Sequence, residues 1–163
     1  MDEYRFQLAA PRDAACIAGL SRRLIEAGLP PSWPAERVLC HIKRTDSVVL
    51  TARLPGICDP PIAGFGIMQF GDERAHLNLL AVDSAHQRRG LGRQLMNWLH
   101  ESAVVAGTFT LGLELRARNL AAQRFYASLG YRPGALTRGY YQGLEDAQRM
   151  SCDLRVGQGR LTA

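Results

Sequence analysis

The chain has 163 residues, of which 47% are hydrophobic and 21% are charged, and its 20 Lys and Arg outnumber its 15 Asp and Glu to give a formal net charge of +5. This length suits one ordinary domain with a sizeable core, and the composition excludes a disordered or fibrous protein. We therefore expect a single domain over residues 1–155, followed by a frayed tail over 156–163.

Several partners are excluded by the distribution of residue types. No apolar stretch approaches the roughly 20 residues of a membrane span, and no signal segment is recognisable, so a cytoplasmic protein without membrane contact is expected. The basic residues are scattered rather than gathered in a tract with aromatics, which disfavours nucleic acid but would still favour a phosphorylated cofactor. The four cysteines and four histidines match no zinc spacing, so we expect no metal and assign the histidines no role.

The first 70 residues predict strands alternating with helices. A helix is expected from Pro11 to about Gly28, and a second one begins at Pro34, after a proline-rich loop that contains Trp33. The predicted strands are Tyr4–Ala9, Ser47–Leu54 and Ile62–Phe70, of which the last two form an antiparallel pair around a Gly56–Pro61 loop.

The remaining chain predicts a mixed sheet. A strand over Arg74–Val82 leads through a polar loop into a helix, and Phe109–Arg116 alternates with its leucines on one side. Asn119 is placed to cap a helix that stops at Gly130. Two final strands are expected near Tyr131–Leu136 and Ala147–Arg155. Strands alternating with helices in the middle and antiparallel strands at both ends predict an α/β (α+β) fold, with one mostly antiparallel sheet of about seven strands flanked by about four helices.

A short glycine-containing loop, Gln87-Arg88-Arg89-Gly90-Leu91-Gly92, lies between a predicted strand and a predicted helix. Glycines allow a ligand to approach the backbone, and the free N–H groups of a helix start bind anions. The adjacent Arg88, Arg89 and Arg93 favour a diphosphate over a lone carboxylate. The loop lacks the three glycines of a Rossmann fingerprint and the Gly-Lys-Ser/Thr ending of a Walker loop. By itself it could also be a tight turn before a surface helix.

This loop, with the preceding Leu80-Ala81-Val82-Asp83, resembles the acetyl-CoA-binding motif of the GNAT acetyltransferase superfamily. Downstream, Leu113–Asn119 and Ala122–Tyr131 are similar to the second half of the same fold. The pattern Thr137-Arg138-Gly139-Tyr140-Tyr141, followed by Glu145-Asp146-Ala147, resembles the RimI-like branch, which acetylates the N-termini of ribosomal proteins. The first 60 residues match that branch only loosely.

The resemblance implies acetyl-CoA as co-substrate and direct transfer to an amine, without a metal. By this resemblance Glu114 acts as general base and Tyr126 as general acid. It also implies cofactor contacts from three backbone positions, from the glycine loop and from one helix cap: Leu80, Ala81, Val82, Arg88, Arg89, Gly90, Leu91, Gly92, Arg93 and Asn119. The acceptor would be held by aromatic side chains, which are Tyr140, Tyr141 and Trp33.

Each of these residues also has a purely structural interpretation. Glu114 could be an exposed carboxylate paired with Arg116, and Tyr126 a core aromatic. Asn119 could serve only as a cap. The paired tyrosines could be exposed turn residues, and Trp33 could cover the edge of the core.

Three other functions remain open from the sequence. The acceptor could be a lysine side chain or a small amine, rather than the α-amino group of a protein N-terminus. The chain could also be a non-catalytic acyl-CoA sensor, because a fold alone does not guarantee activity. A basic ribosome-associated module is disfavoured by the scattered charge. The sequence does not predict an oligomeric state.

Overall fold

The structure is a computed structural model that describes residues 3–56, 58 and 61–155. Within these residues seven strands form a mixed sheet in the order β1-β2-β3-β4-β5-β7-β6. The strands are β1 (Arg5–Leu8), β2 (Ser47–Arg53), β3 (Ile62–Phe70), β4 (Arg74–Val82), β5 (Thr110–Arg116), β6 (Arg132–Tyr141) and β7 (Glu145–Asp153). The α-helices are α1 (Ala14–Leu24), α2 (Ala35–Lys43), α3 (Leu91–Val105) and α4 (Leu120–Ser128). The predicted fold class is confirmed.

The described residues fall into two compact units. The first unit comprises the chain up to Gln69 together with Asn78–Leu99, and the second comprises Phe70–Leu77 together with the chain from His100 onward. The expected single domain over residues 1–155 therefore stays a prediction. The predicted tail over 156–163 lies outside the described residues, as does part of the Gly56–Pro61 loop.

The first unit is built on the antiparallel pair β2–β3, with α1 and α2 contributing to its core. Helical spacing buries Ile17 and Val38 completely, together with Phe65 of β3. Two glycines of β3 make room for apolar side chains. A Cβ atom on Gly66 would lie 2.9 Å from the Leu99 side chain, and one on Gly64 would lie 3.1 Å from Leu95. Close packing of α3 therefore depends on these glycines.

A buried ion pair joins the start of α1 to the end of β2. Arg53 Nη2 lies 2.5 Å from Asp13 Oδ1, and the two side chains are only 7% and 8% exposed. The other carboxylate oxygen of Asp13 accepts a hydrogen bond from the Ala10 backbone N–H at 2.8 Å. Because both charges are compensated, burial of this pair is tolerated.

The second unit is organised around β5. This strand pairs with the first half of β4 in parallel, over Arg74–Leu77, and with β7 in antiparallel register. Its three leucines are at most 7% exposed, as the alternation in the sequence predicts. The His100 imidazole of α3 stacks on the Tyr131 ring and shares a hydrogen bond of 2.7 Å between Nε2 and the phenol oxygen.

The structure corrects the bounds of three predicted elements. Helix α1 ends at Leu24 rather than near Gly28, because the Glu26 backbone N–H turns back to the Ser21 carbonyl and its carboxylate binds Ser32. Strand β6 extends five residues beyond Leu136 to Tyr141, since it pairs with β7 as far as Glu145. Strand β7 begins at Glu145 and ends at Asp153, two residues earlier than predicted at each end.

The buried His100 side chain predicts a loss of stability in mild acid. Burial lowers the pKa of His100 from 6.5 to about 4, so between these values the unfolded chain binds more protons than the folded one. The free energy of unfolding therefore falls as pH drops through this window, by at most about 1.4 kcal/mol per pH unit. Urea unfolding at about pH 7 and about pH 5 should show a larger loss in the wild type than in His100→Gln. Equal losses in the two proteins would contradict this assignment.

Candidate active site

The glycine loop has a backbone conformation that suits anion binding. Arg88 has φ = 63° and Gly90 has φ = 81°, both in the left-handed region. A non-glycine residue held there is strained, and such strain gathers at functional sites. The Gln87 side chain donates to the Val82 carbonyl at 2.9 Å, which ties the loop back to the end of β4.

Helix α3 starts directly after this loop, and the first backbone N–H groups of a helix have no partner within the helix itself. Leu91 is 1% exposed and anchors the helix start in the core, whereas the side chains of Arg88, Arg89 and Arg93 are exposed. The first turn carries no acidic residue. The combination of backbone N–H groups at a helix start and cationic side chains therefore favours a phosphorylated ligand.

Contacts within the first unit also support the polar segment before the loop. The Tyr4 phenol and His86 Nδ1 share a hydrogen bond of 3.0 Å, and Arg23 lies 3.5 Å from the Asp83 carboxylate. The Asp83 backbone N–H donates to the Ala63 carbonyl at 2.8 Å. The segment is thus held at several points. Just before it, Ala81 is 8% exposed, while its neighbours Leu80 and Val82 are half-buried.

In the second unit the Glu114 carboxylate is paired with a histidine. Glu114 Oε2 lies 2.5 Å from His76 Nε2, and their side chains are 18% and 44% exposed respectively. The alternative pairing of Glu114 with Arg116 is wrong, because Arg116 Nη1 lies 3.3 Å from Glu145 Oε2 instead. Glu145 is also approached by Arg118 at 3.3 Å. The candidate base is thus mostly covered and has an imidazole beside it.

Two tyrosines belong to the same unit. Tyr126 of α4 is 8% exposed and packs edge-on against Phe125 and Tyr131. Burial raises its pKa well above the ordinary value, and the nearby Tyr141 adds to this effect. Burial likewise raises the pKa of Tyr141, with further contributions from Tyr140 and Glu114. Both phenols therefore keep their protons at neutral pH.

Exposed apolar side chains gather on β6 and in the turn that follows it. Tyr140 is 49% exposed and meets Tyr141 edge-on at 5.0 Å. Leu136 and Leu144 are 50% and 64% exposed. Exposed apolar groups on one strand and its turn are compatible with a binding surface. The tyrosines lie on a strand rather than in a turn, and their role as acceptor contacts stays a prediction.

Trp33 has a different environment. Its ring is 8% exposed, belongs to the core of the first unit, and packs against His41 at 5.1 Å. The Arg37 guanidinium lies 3.8 Å above the ring, where a cation–π interaction is favourable. These contacts favour the interpretation that Trp33 covers the core edge, and its contact with an acceptor stays a prediction.

Asn119 caps helix α4 as predicted, since its Oδ1 accepts a hydrogen bond from the Ala122 backbone N–H at 3.1 Å. The predicted cofactor contacts at Leu80–Val82 and Arg88–Arg93 belong to the first unit. Glu114, Asn119, Tyr126, Tyr140 and Tyr141 belong to the second. The roles assigned to all of them stay predictions.

Sequence reasoning missed His76. Its side chain meets Glu114 because the parallel register places His76 opposite Gly112, two residues before Glu114. No spacing motif signals such a pair, and only the register between distant strands would have found it.

Among the residues that the structure describes, no group of three or more His, Cys, Asp or Glu could hold a metal ion. No described helix is long and apolar enough to span a membrane.

Comparisons with known proteins agree with these features. A family model described as an acetyltransferase (GNAT) domain matches residues 48–133. The chain is 45% identical over 101 residues to the ribosomal protein bS18-alanine N-acetyltransferase of Salmonella typhimurium, covering 60% of this chain and 68% of that protein. The Escherichia coli K12 protein of the same name is 43% identical over 98 residues, covering 58% and 66%. The chain thus spans about two thirds of these relatives.

Solved structures extend the similarity to nearly the whole chain. The ribosomal-protein-S18-alanine N-acetyltransferase from Escherichia coli has a TM-score of 0.79 at 28% identity, covering 93% of this chain and 94% of that one. Arabidopsis thaliana NAA60 in complex with acetyl-CoA has a TM-score of 0.82 at 16% identity, covering 94% and 99%. At that identity the second likeness shows the fold alone.

Replacing Gly90 with Ala should weaken acetyl-CoA binding by about tenfold, because a Cβ atom disfavours the left-handed backbone that presents the loop amides. Gly107→Ala is the matched control. Both glycines have φ above 80°, and a Cβ on either would meet no heavy atom within 4 Å. Both variants should therefore lose about 1 kcal/mol of stability, while titration calorimetry should show weaker binding only for Gly90→Ala. Equal binding by both would contradict a role for the loop conformation.

Proposed function

Because this chain belongs to the GNAT acetyltransferase family, we propose that it transfers the acetyl group of acetyl-CoA to the α-amino group of a protein N-terminus. The observation that carries this proposal is the mostly covered Glu114 carboxylate with His76 beside it. The relatives named as ribosomal protein bS18-alanine N-acetyltransferases make a ribosomal protein N-terminus the first acceptor to test. We also propose a cytoplasmic location.

The residues of the first unit fit a coenzyme A diphosphate. The exposed Arg88, Arg89 and Arg93 supply positive charge, and the start of α3 supplies N–H groups without an opposing carboxylate in its first turn. We assign the backbone of Leu80–Val82 to the pantetheine arm and Asn119 to a further contact, by resemblance to the family. Acetyl-CoA supplies an activated acyl group, so the protein itself has to bind, orient and move protons.

Glu114 is the proposed general base. A protein α-amino group has a reference pKa of about 7.7–8.0, so at neutral pH most of it is protonated and cannot attack a thioester. The carboxylate removes one proton from the ammonium group, and the neutral amine then attacks the acetyl carbonyl carbon. The limited exposure of Glu114, at 18% of its side chain, keeps most bulk water away from this proton transfer.

Tyr126 is the proposed general acid. Its buried phenol is protonated at neutral pH, and burial raises its pKa further. When the carbon–sulfur bond breaks, the phenol donates its proton to the leaving sulfur, and the oxygen regains a proton from the nitrogen as the amide forms. Transfer is therefore direct and needs no acyl-enzyme. Cys152, whose thiol pKa is raised chiefly by burial, is poorly suited to be a nucleophile.

Tyr140 and Tyr141 are proposed to hold the acceptor backbone, because aromatic rings with hydroxyl groups combine apolar contact with hydrogen bonding. Their strand and the following turn also expose Leu136 and Leu144. A small amine would use less of this surface than a peptide. A peptide acceptor therefore accounts for more of the exposed apolar groups than a small amine does.

The purified protein should acetylate peptides with a free α-amine and leave peptides with a blocked α-amine unmodified, even when they contain lysine. Mass spectrometry of both peptide sets, incubated with acetyl-CoA, locates the acetyl group. Acetyl found on lysine or on small amines alone would contradict the α-amine assignment while keeping the transferase. Binding of acetyl-CoA without any transfer would instead favour the sensor.

Glu114→Gln should lower kcat at about neutral pH by about a hundredfold, the lower end of what general acid–base catalysis contributes. Acetyl-CoA affinity should change little, because the carboxylate is assigned to the amine and not to the cofactor. The loss should shrink as pH rises and the amine deprotonates by itself. Steady-state kinetics and calorimetry provide the two readouts.

Glu101→Gln provides the control, since Glu101 is an exposed glutamate on α3 and its replacement removes the same charge. It should leave kcat and cofactor affinity unchanged. A Glu114→Gln variant that lost cofactor binding as strongly as turnover would overturn the assignment of Glu114 as the base.

A further inference from the structure

Strand β6 contains a bulge at the two tyrosines that are proposed to hold the acceptor. The regular pairing of β6 with β7 stops at Thr137 and resumes at Tyr141, opposite Glu145. Residues Arg138–Tyr140 of β6 therefore lie opposite the single residue Asp146. A bulge of this kind leaves backbone groups of the longer strand without ladder partners and changes the direction of nearby side chains, and bulges are frequent next to active sites.

The Asp146 side chain takes the place of the missing ladder partner. Its Oδ1 accepts a hydrogen bond from the Gly139 backbone N–H at 2.9 Å. Gly139 has φ = 65°, in the left-handed region that a residue with a Cβ atom rarely adopts. Its carbonyl accepts a hydrogen bond from the Gly143 N–H at 2.8 Å, across the turn that follows β6. Both backbone polar groups of Gly139 are thus bonded, one of them by a side chain.

Asp146 is itself anchored to the strand that carries Glu114. The Asp146 backbone carbonyl accepts a hydrogen bond from the Ala117 N–H at 2.9 Å, directly after the end of β5. The carboxylate of the preceding Glu145 lies 3.3 Å from Arg116 of β5. The residue that holds the bulge therefore has a defined position relative to the proposed general base.

The bulge determines where the two tyrosines lie. Tyr140 is its last residue, and Tyr141 is the residue at which regular pairing resumes. The pKa of Tyr141 is raised chiefly by burial and further by Tyr140 and by the Glu114 carboxylate, so the Tyr141 phenol lies near that carboxylate. A change in the backbone at Gly139 would therefore move the tyrosines relative to Glu114.

We propose that Asp146 is a positioning residue, which holds the bulge of β6 so that Tyr140 and Tyr141 meet the backbone of a peptide acceptor. In this role it acts through Gly139 and contacts neither the peptide nor acetyl-CoA. The role requires one hydrogen-bond acceptor and no charge, so an amide oxygen should serve as well as a carboxylate oxygen. This inference rests on the proposed function and adds a residue to acceptor binding.

The test measures steady-state kinetics with a free α-amine peptide. Asp146→Ala should raise KM for the peptide about tenfold, the factor that corresponds to the loss of one hydrogen bond, while KM for acetyl-CoA should not change. Asp146→Asn keeps an acceptor oxygen and should stay within about twofold of the wild type. Asp153→Ala is the matched control, because it removes an exposed carboxylate at the other end of β7, and it should match the wild type.

The Gly139 amide provides a readout that does not depend on activity. Its hydrogen exchange should be faster in Asp146→Ala than in the wild type, and Asp146→Asn should keep the wild-type rate. Gly139→Ala should also raise KM for the peptide, because a Cβ atom disfavours the left-handed backbone and would lie 3.4 Å from Gly143 Cα. Combining Gly139→Ala with Asp146→Ala should cost little more than either change alone, since both disrupt one bulge.

Three results would overturn the inference. The first is a wild-type KM for the peptide in Asp146→Ala. The second is an equal loss in Asp146→Asn and Asp146→Ala, because the carboxylate would then act through its charge. The third is an equal rise of KM for peptide and for acetyl-CoA, together with a lower thermal unfolding temperature, which would show a general loss of structure.

The failure of the proposed function has a different signature. If the wild-type protein acetylates no α-amine peptide, the acceptor assignment fails, and the role of Asp146 in acceptor binding fails with it. If the wild type is active and Asp146→Ala matches it, only the inference about Asp146 fails.

Discussion

The alternation of side chains along β5 is the constraint on which the second unit depends. This strand pairs on one edge with β4 and on the other with β7, so its register is set from both sides. Its leucines are buried, which places Glu114 on the opposite face. A slip of one residue would expose the leucines and bury the carboxylate among apolar groups. The register that packs the leucines of this strand therefore also sets the position of Glu114.

The candidate site residues of the first unit are marked by a strained backbone, whereas those of the second unit are marked by buried side chains. Arg88 adopts a left-handed backbone that costs free energy in an ordinary loop, and it persists because the surrounding contacts over-determine the turn. Leu91 anchors one side of the turn, and Gln87 anchors the other through the Val82 carbonyl. The proposed binding of an anion by the loop amides would then require no reorganisation when the ligand arrives, which would limit the entropic cost of binding.

Much of this could be predicted from the sequence because the signals were local. The bounds of β3 and β4 could be predicted from the runs of strand-forming residues that lie between turn residues. The cap of α4 could be predicted because asparagine is a preferred N-cap residue, and Asn119 precedes the helix. The pairing of His76 with Glu114 could not be predicted, because it depends on a register between strands 38 positions apart in the chain. The end of α1 was misplaced for a similar reason. Glutamate has a high helix propensity, but the Glu26 carboxylate accepts hydrogen bonds from the Ser32 backbone N–H and hydroxyl, outside the helix. The sequence does not show this contact.

The buried pair of Asp13 and Arg53 limits which substitutions this sequence tolerates at these two positions. Loss of either partner would leave an uncompensated charge in the core, at a cost of about 3–5 kcal/mol, which is a large part of the stability of a small protein. Replacement of both by apolar residues of similar volume could be nearly neutral. Homologous chains should therefore carry either both charges or neither at these positions, and chains with one charge alone should be rare.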